Sequence, residues 1–341
     1  MKELNIKSTH LKKMQIGIDN YSLYPLEFNS LQILQWAKDN GAEGVSFSGL
    51  PQSESESIDD AYLKDLAQFA ATNDLYAEWG GAQHIPRDMT NWSKKEILKI
   101  NEKAAREAQC LGTRIVRSCS GGLMRWSSKS PATETLLLEM ANALKAEKQM
   151  LIDHNVILAI ETHFEFTTWE LLRIFDMCET GPGEYLGICL DTMNLLTMLE
   201  HPVAATERVL PWIVSTHIKD GALYVNSQGM QSFPTEIGKG IIELDKIVKL
   251  LHTLSHDIHL SIEDHGGYFS LPIFDPVFIS KFPDLTAVEL ASLISLAQQT
   301  KFKLDASECE ILDREKWPEI CQDRIKRDIR ALNQIQNHVL E

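Results

Sequence analysis

Four ionisable residues stand where apolar runs stop. VILAIE (156–161) ends on Glu161 and LGICLD (186–191) on Asp191. IVSTHI (213–218) carries His217, and IHLSIE (258–263) ends on Glu263. One carboxylate at the end of a buried run reads as a strand reaching solvent. Three carboxylates collected at one place repel and raise one another's pKa. A divalent cation removes that conflict. Three carboxylates with one imidazole form an oxygen-rich donor set suited to Mn²⁺, Mg²⁺ or Co²⁺, and open to Zn²⁺. The expectation is one divalent metal, Mn²⁺ first, held by Glu161, Asp191, His217 and Glu263, provided a fold brings them together.

The intervening elements say which fold does so. Four similar runs precede these: MQIGID (14–19), GVSFS (44–48), LYAEWG (75–80) and TRIVRS (113–118). Longer stretches with helical spacing separate the runs. SLQILQWAKDNG ends at Gly41 and KEILKINEKAAREAQCLG at Gly112, and a glycine there stops a helix. Strands alternating with helices imply a parallel sheet with crossover helices. Eight such units over about 250 residues match a (β/α)8 TIM barrel, whose catalytic groups sit at the C-terminal ends of the strands. A doubly wound sheet fits less well, because no GxGxxG follows the first strand. The expected division is an N-terminal tail at 1–13, the barrel at 14–300 and a C-terminal helical extension at 301–341. Helices are expected at 286–299 and 314–341. The tail helices either cap the bottom of the barrel or mediate a homo-oligomer.

Composition narrows the partners. The 341 residues carry a formal net charge of −15, the wrong sign for a protein whose main partner is nucleic acid. No apolar run is long enough to span a membrane, and the N-terminus has no secretory h-region. Cys110, Cys119, Cys178, Cys189, Cys309 and Cys321 form no CxxC pair. They read as reduced thiols of a cytoplasmic protein.

The stretches AIETH, CLDTMNLL, HIKD and IEDH, with GKGIIELDKIV (238–248), resemble the xylose isomerase-like barrel superfamily of sugar isomerases and epimerases, over about residues 14–270. That resemblance implies Glu161, Asp191, His217 and Glu263 as metal ligands, with Glu161 and Glu263 also the acid/base pair. It implies a small-molecule carbohydrate substrate: a ketose or sugar acid, isomerised or epimerised through an enediolate. The alternative is a lyase of the same superfamily, a decarboxylase of an oxidised sugar acid such as a 3-oxo acid, or a dehydratase. An endonuclease IV-like nuclease or a non-catalytic sugar-binding barrel is further off. Ketose 3-epimerases have a His three residues after the strand-six Asp. This chain has Asn194 there, which can bond a substrate hydroxyl but cannot shuttle a proton. CLDTMNLLTMLEHP looks closer to members acting on sugar acids.

Other polar residues near the strand ends are candidate substrate contacts. His163 shares the parity of Glu161 and either faces substrate or lies in a solvated loop. Lys219 shares that of His217, and either meets a substrate carboxylate or oxyanion or pairs with Asp220. Arg117 either binds an acid substrate or pairs with a neighbouring Glu. Glu78 and His84 flank WGGAQH, where the glycine pair suggests a tight loop near a ligand. Asp19, Asn20 and Tyr21 end the first strand, and His265 follows Glu263 closely.

Overall fold

The computed structural model describes residues 12–303, 312 and 314–341. Most of the N-terminal tail expected at 1–13, part of the extension expected from 301, and Cys309 lie outside the described residues. The strands are β1 (Ile16–Asp19), β2 (Gly44–Phe47), β3 (Tyr76–Ala82), β4 (Ile115–Ser118), β5 (Ile157–Glu161), β6 (Leu186–Asp191), β7 (Ile213–Ile218), β8 (Asp220–Asn226), β9 (Gly229–Thr235), β10 (Leu260–Ile262) and β11 (Phe269–Leu271). Eight parallel strands close a barrel in the order β1-β10-β7-β6-β5-β4-β3-β2. The expected TIM barrel is therefore present, each run supplying one strand.

These strands are buried on both faces, which is why they read as continuous apolar runs and not as alternating ones. One face packs on the helices and the other fills the barrel. Tyr76 shows how the filling works. A Cβ at Gly44 would stand 2.1 Å from its ring, so glycine there makes room for the aromatic side chain. The Tyr76 hydroxyl then meets Ser261 Oγ across the barrel at 2.8 Å.

The crossover helices start and stop on local signals. Thr167 and Glu170 form a capping box at the start of the helix Thr168–Met177. Gly112, with φ of 84°, ends the helix Leu98–Leu111.

Two features depart from the simple repeat. First, β8 and β9 form an antiparallel hairpin that joins β11 in a separate three-stranded sheet. The hairpin turns at Gly229, where a Cβ would lie 2.2 Å from Leu271 O. Second, the last helix, Trp317–Leu340, does not cap the bottom of the barrel. It packs beside β1 and β10, in the outer ring. Gln336 bonds both the amide and the carbonyl of Met14, at 2.8 and 3.0 Å. Trp317 is fully buried, and its indole N–H donates to Ser22 O at 2.9 Å. Arg324 reaches from this helix to Asp264, 2.6 Å away. The distal end of the chain therefore braces the residue next to Glu263. No helix among the described residues is long and apolar enough to cross a membrane.

Candidate metal and substrate site

Parallel register carries the four strand-end residues to one rim. Glu161 and Asp191 are the last residues of β5 and β6. Asp191 pairs with His217 in the β6–β7 register, and His217 with Ser261 of β10, two residues before Glu263. Each of Glu161, Asp191, His217 and Glu263 offers one ligand atom within 4.8 Å of all the others. All four are buried. His217 Nδ1 lies 3.4 Å from Glu161 Oε1 and 3.6 Å from Glu263 Oε2.

The donor set fits a divalent cation on two counts. Three carboxylates and an imidazole are hard, oxygen-rich ligation. Buried polar atoms are ordinarily hydrogen-bonded. His217 Nδ1, which faces Glu161 and Glu263, has no hydrogen-bond partner among the described residues.

Two basic side chains reach into this acidic cluster. Arg117, on β4, pairs with Glu161 and also donates to Ser48 O at 3.1 Å. Lys219 lies between two carboxylates: it pairs with Glu263, and its Nζ is 2.8 Å from Asp191 Oδ2. Their effect shows in the ionisation of the acids. Burial alone would raise Glu161, but Arg117 and then His217 hold it well below the carboxylate range. Burial opposes ionisation of Glu263 too, yet Lys219 and His217 draw it down to about 2. Asp191 goes the other way: burial raises it, and the pull of Lys219 is set against repulsion from Glu263 and Glu161.

Glu161 and Glu263 of the cluster line a cavity of about 1180 Å³. Arg117, His163 and Lys219 line it, as do Tyr21 and His265. Asn194 lines a small neighbouring crevice with Lys219. Its amide N–H donates to Asp191 Oδ1 at 2.9 Å, and its buried Nδ2 has no partner. His84 is not among the cavity-lining side chains. It is buried against Ser118 Oγ at 2.9 Å and beside Phe166, and burial lowers it to about 4. Glu78 turns into the barrel below the rim, where it accepts from Ser215 and meets His259 Nδ1 at 2.8 Å. The reason is strand length: β3 runs on to Ala82, which leaves Glu78 deep in the barrel.

Two neighbours of the cluster have no role in the sequence reading: Asp19, placed there at the end of the first strand, and Arg314, not named there. Asp19 is wholly buried and faces His217 Nε2 at 3.2 Å, while Oδ1 accepts the Tyr21 amide at 2.8 Å. Its place at the end of the first strand was the available signal. Arg314, beyond the barrel, lies over the rings of Tyr21 and Tyr24 and lines the cavity mouth. Nothing in its local sequence marks it.

The chain is similar to several characterised proteins. It is 23% identical over 264 residues to the 3-oxo-isoapionate decarboxylase of Pectobacterium atrosepticum, covering 73% of this chain and 85% of the relative. Among solved structures, D-psicose 3-epimerase from Clostridium cellulolyticum, crystallised with D-tagatose, superposes with a TM-score of 0.58 at 11% identity, over 96% of this chain and all of that one. The IOLI protein, crystallised with a zinc atom, gives 0.56 at 17% identity, over 87% of this chain and 100% of that one. The barrel, the register of its strand ends and the match of residues 34–277 to the family described as "Xylose isomerase-like TIM barrel" agree, and the chain belongs to that family.

Proposed function

We propose that the chain is a metal-dependent lyase that decarboxylates a 3-oxo sugar acid. The observation that carries this reading is Lys219, whose ammonium lies between Asp191 and Glu263 at the cavity floor. Glu161, Asp191, His217 and Glu263 are the ligands of one divalent cation, Mn²⁺ by the hardness of the set. An ion held there takes over the neutralising role that Lys219 plays, which frees the ammonium for a substrate anion. Asn194 also fits: an amide beside Asp191 can hold a substrate hydroxyl but cannot relay a proton. The decarboxylase relative supports the same reaction class.

The cation, when bound, polarises the keto oxygen and its neighbouring hydroxyl and stabilises charge developing there. Lys219 and Arg117 orient the acidic end of the substrate. The bond to the carboxylate carbon breaks, CO₂ leaves, and its electron pair passes to the keto oxygen to give an enediolate. Lys219 offsets that charge. Glu263, beside the Lys219 ammonium, relays the proton that returns to carbon. The paired Glu161 and Glu263 favour a second reading, isomerisation or epimerisation of a small ketose. One carboxylate would then remove a proton beside the carbonyl and the other return one. The free thiols among the described residues fit a cytoplasmic enzyme.

The test is turnover in D₂O with Mg²⁺ against 3-oxo sugar acids and ketoses. The expected result is CO₂ release with one deuterium on the product carbon. Lys219→Met should lower kcat/KM for the acid by about 10²–10³-fold. Deuterium wash-in to a ketose without CO₂ would select the second reading, and turnover of neither class would overturn both.

Asp19 bears on the metal directly. A histidine ligand is oriented by the group that faces its other nitrogen, and removing that group costs about 10–100-fold in metal affinity. Asp19→Ala is expected to weaken Mn²⁺ binding by that factor, read by competition with a chelator. Unchanged affinity would show that Asp19 does not position His217.

A further inference from the structure

A second cluster of different composition lies beside the first. Cys119 follows β4 by one residue, and His163 and Glu165 lie in the loop after β5. A thiol sulfur, a ring nitrogen and a carboxylate oxygen from these three all fall within 4.8 Å of one another. His163 Nδ1 is 2.9 Å from Glu165 Oε2. The two oxygens of Glu165 have separate tasks. Oε1 accepts the amides of Gly121 and Gly122, at 2.5 and 3.1 Å. That grip fixes the buried carboxylate and leaves Oε2 turned to His163. Gly121 has φ of 78°, a conformation glycine adopts without strain, and it brings two successive amides onto one oxygen. Such outer contacts are what hold a ligating carboxylate in place.

From this geometry we infer that Cys119, His163 and Glu165 bind a second divalent cation, softer than the first. A sulfur, an imidazole and a carboxylate are zinc-type ligands, and three of them leave a fourth position open. The thiolate selects for softness, whereas the neighbouring oxygen-rich set does not. Cys119 and His163 both line the main cavity, so the open position faces the same space as Lys219 and Glu263. Binding releases to solvent the Cys119 thiol proton and any ring proton on the coordinating nitrogen of His163, and joins sulfur and nitrogen to the metal. An oxygen of a cavity-bound ligand, or water, completes the coordination. This site is separate from the one that Asp191 and His217 help to build, and it stands whichever reaction the enzyme runs.

Cobalt tests it, because thiolate coordination to Co²⁺ gives a near-ultraviolet charge-transfer band that oxygen and nitrogen donors do not. The full chain is stripped with a chelator and dialysed against Co²⁺, and bound metal and absorption are measured together. The expected result is two Co²⁺ per chain with the band present. Cys119→Ala should remove the band and one equivalent of Co²⁺. Asp191→Asn should remove the other equivalent and keep the band. Cys189→Ala is the control for sulfur near the first site, since Cys189 adjoins His217, and it should keep the band. No band in the unaltered protein, or a band that survives Cys119→Ala, would overturn the second site. One equivalent lost only in Asp191→Asn would do so too, while leaving the first site intact.

Discussion

Glu161→Gln and Glu263→Gln should each lower kcat by about 10³-fold or more: the first loses a metal ligand, and the second loses a ligand together with the group that relays the proton. The amide keeps the size and shape of the carboxylate, so both variants should fold and keep the thermal midpoint of the parent. Neither can relay a proton, and each removes one negative ligand. For Glu263 there is a further loss. Burial opposes its ionisation, yet Lys219 and His217 hold its pKa down to about 2, so a neutral amide removes one of the carboxylates that those two side chains face. Asp191→Asn separates ligation from acid/base work. Asp191 anchors the amides of Met193 and Asn194 at 3.0 and 2.9 Å through Oδ1, leaving Oδ2 for the metal. Its variant should lose activity through weakened metal binding and regain part of it at high Mn²⁺. Glu263→Gln should not be rescued in that way. Near-normal turnover in Glu263→Gln would remove its proton-relay role and with it the proposed mechanism.

The barrel was legible because each buried parallel strand is a short apolar run and each crossover is an amphipathic helix with its own stop. The four-residue cluster was legible for a related reason. Parallel register puts strand ends at one rim, so the last polar residue of a run is already placed by the fold. What could not be read depends on closure and on loops. Asp19 meets His217 only because β1 pairs with β10, which pairs with β7, a contact between residues far apart in sequence. Glu78 turned out deep in the barrel because β3 runs on past Gly80. Glu165 gave no periodic signal, since it lies in a loop where alternation has ended. The β8–β9 hairpin was missed because its strands, attached to no repeat unit, interrupt the β/α alternation.

Arg125→Met is expected to cost about 3–5 kcal/mol of stability, the loss typical of breaking a buried ion pair from one side. The side chains of Arg125 and Glu170 are 1% and 0% exposed. Besides pairing with Glu170, Arg125 donates to Lys281 O and to Glu165 O, the latter at 3.3 Å, and it lies over the Phe282 ring. Glu170 in turn accepts the Thr167 amide at 2.8 Å in the capping box. Burial raises Glu170 above its usual range and Arg125 opposes that rise. Without the guanidinium the folded protein holds the Glu170 proton to still higher pH than the unfolded chain does. Stability gained by protonation is present at low pH and lost as pH rises through the folded-state value, so the deficit should be larger at pH 8 than at pH 5. Arg125→Met with Glu170→Gln should recover most of the loss, because neither partner is then left charged. Urea unfolding of the two single variants and the double measures this, and a single-variant cost below about 1 kcal/mol would show the pair to be expendable. The pair spans the segments that carry Cys119 and His163, one after β4 and one after β5, and Arg125 also bonds Lys281. An ion pair of modest net benefit to folding can still fix where two loops meet, and here they meet at the cavity wall.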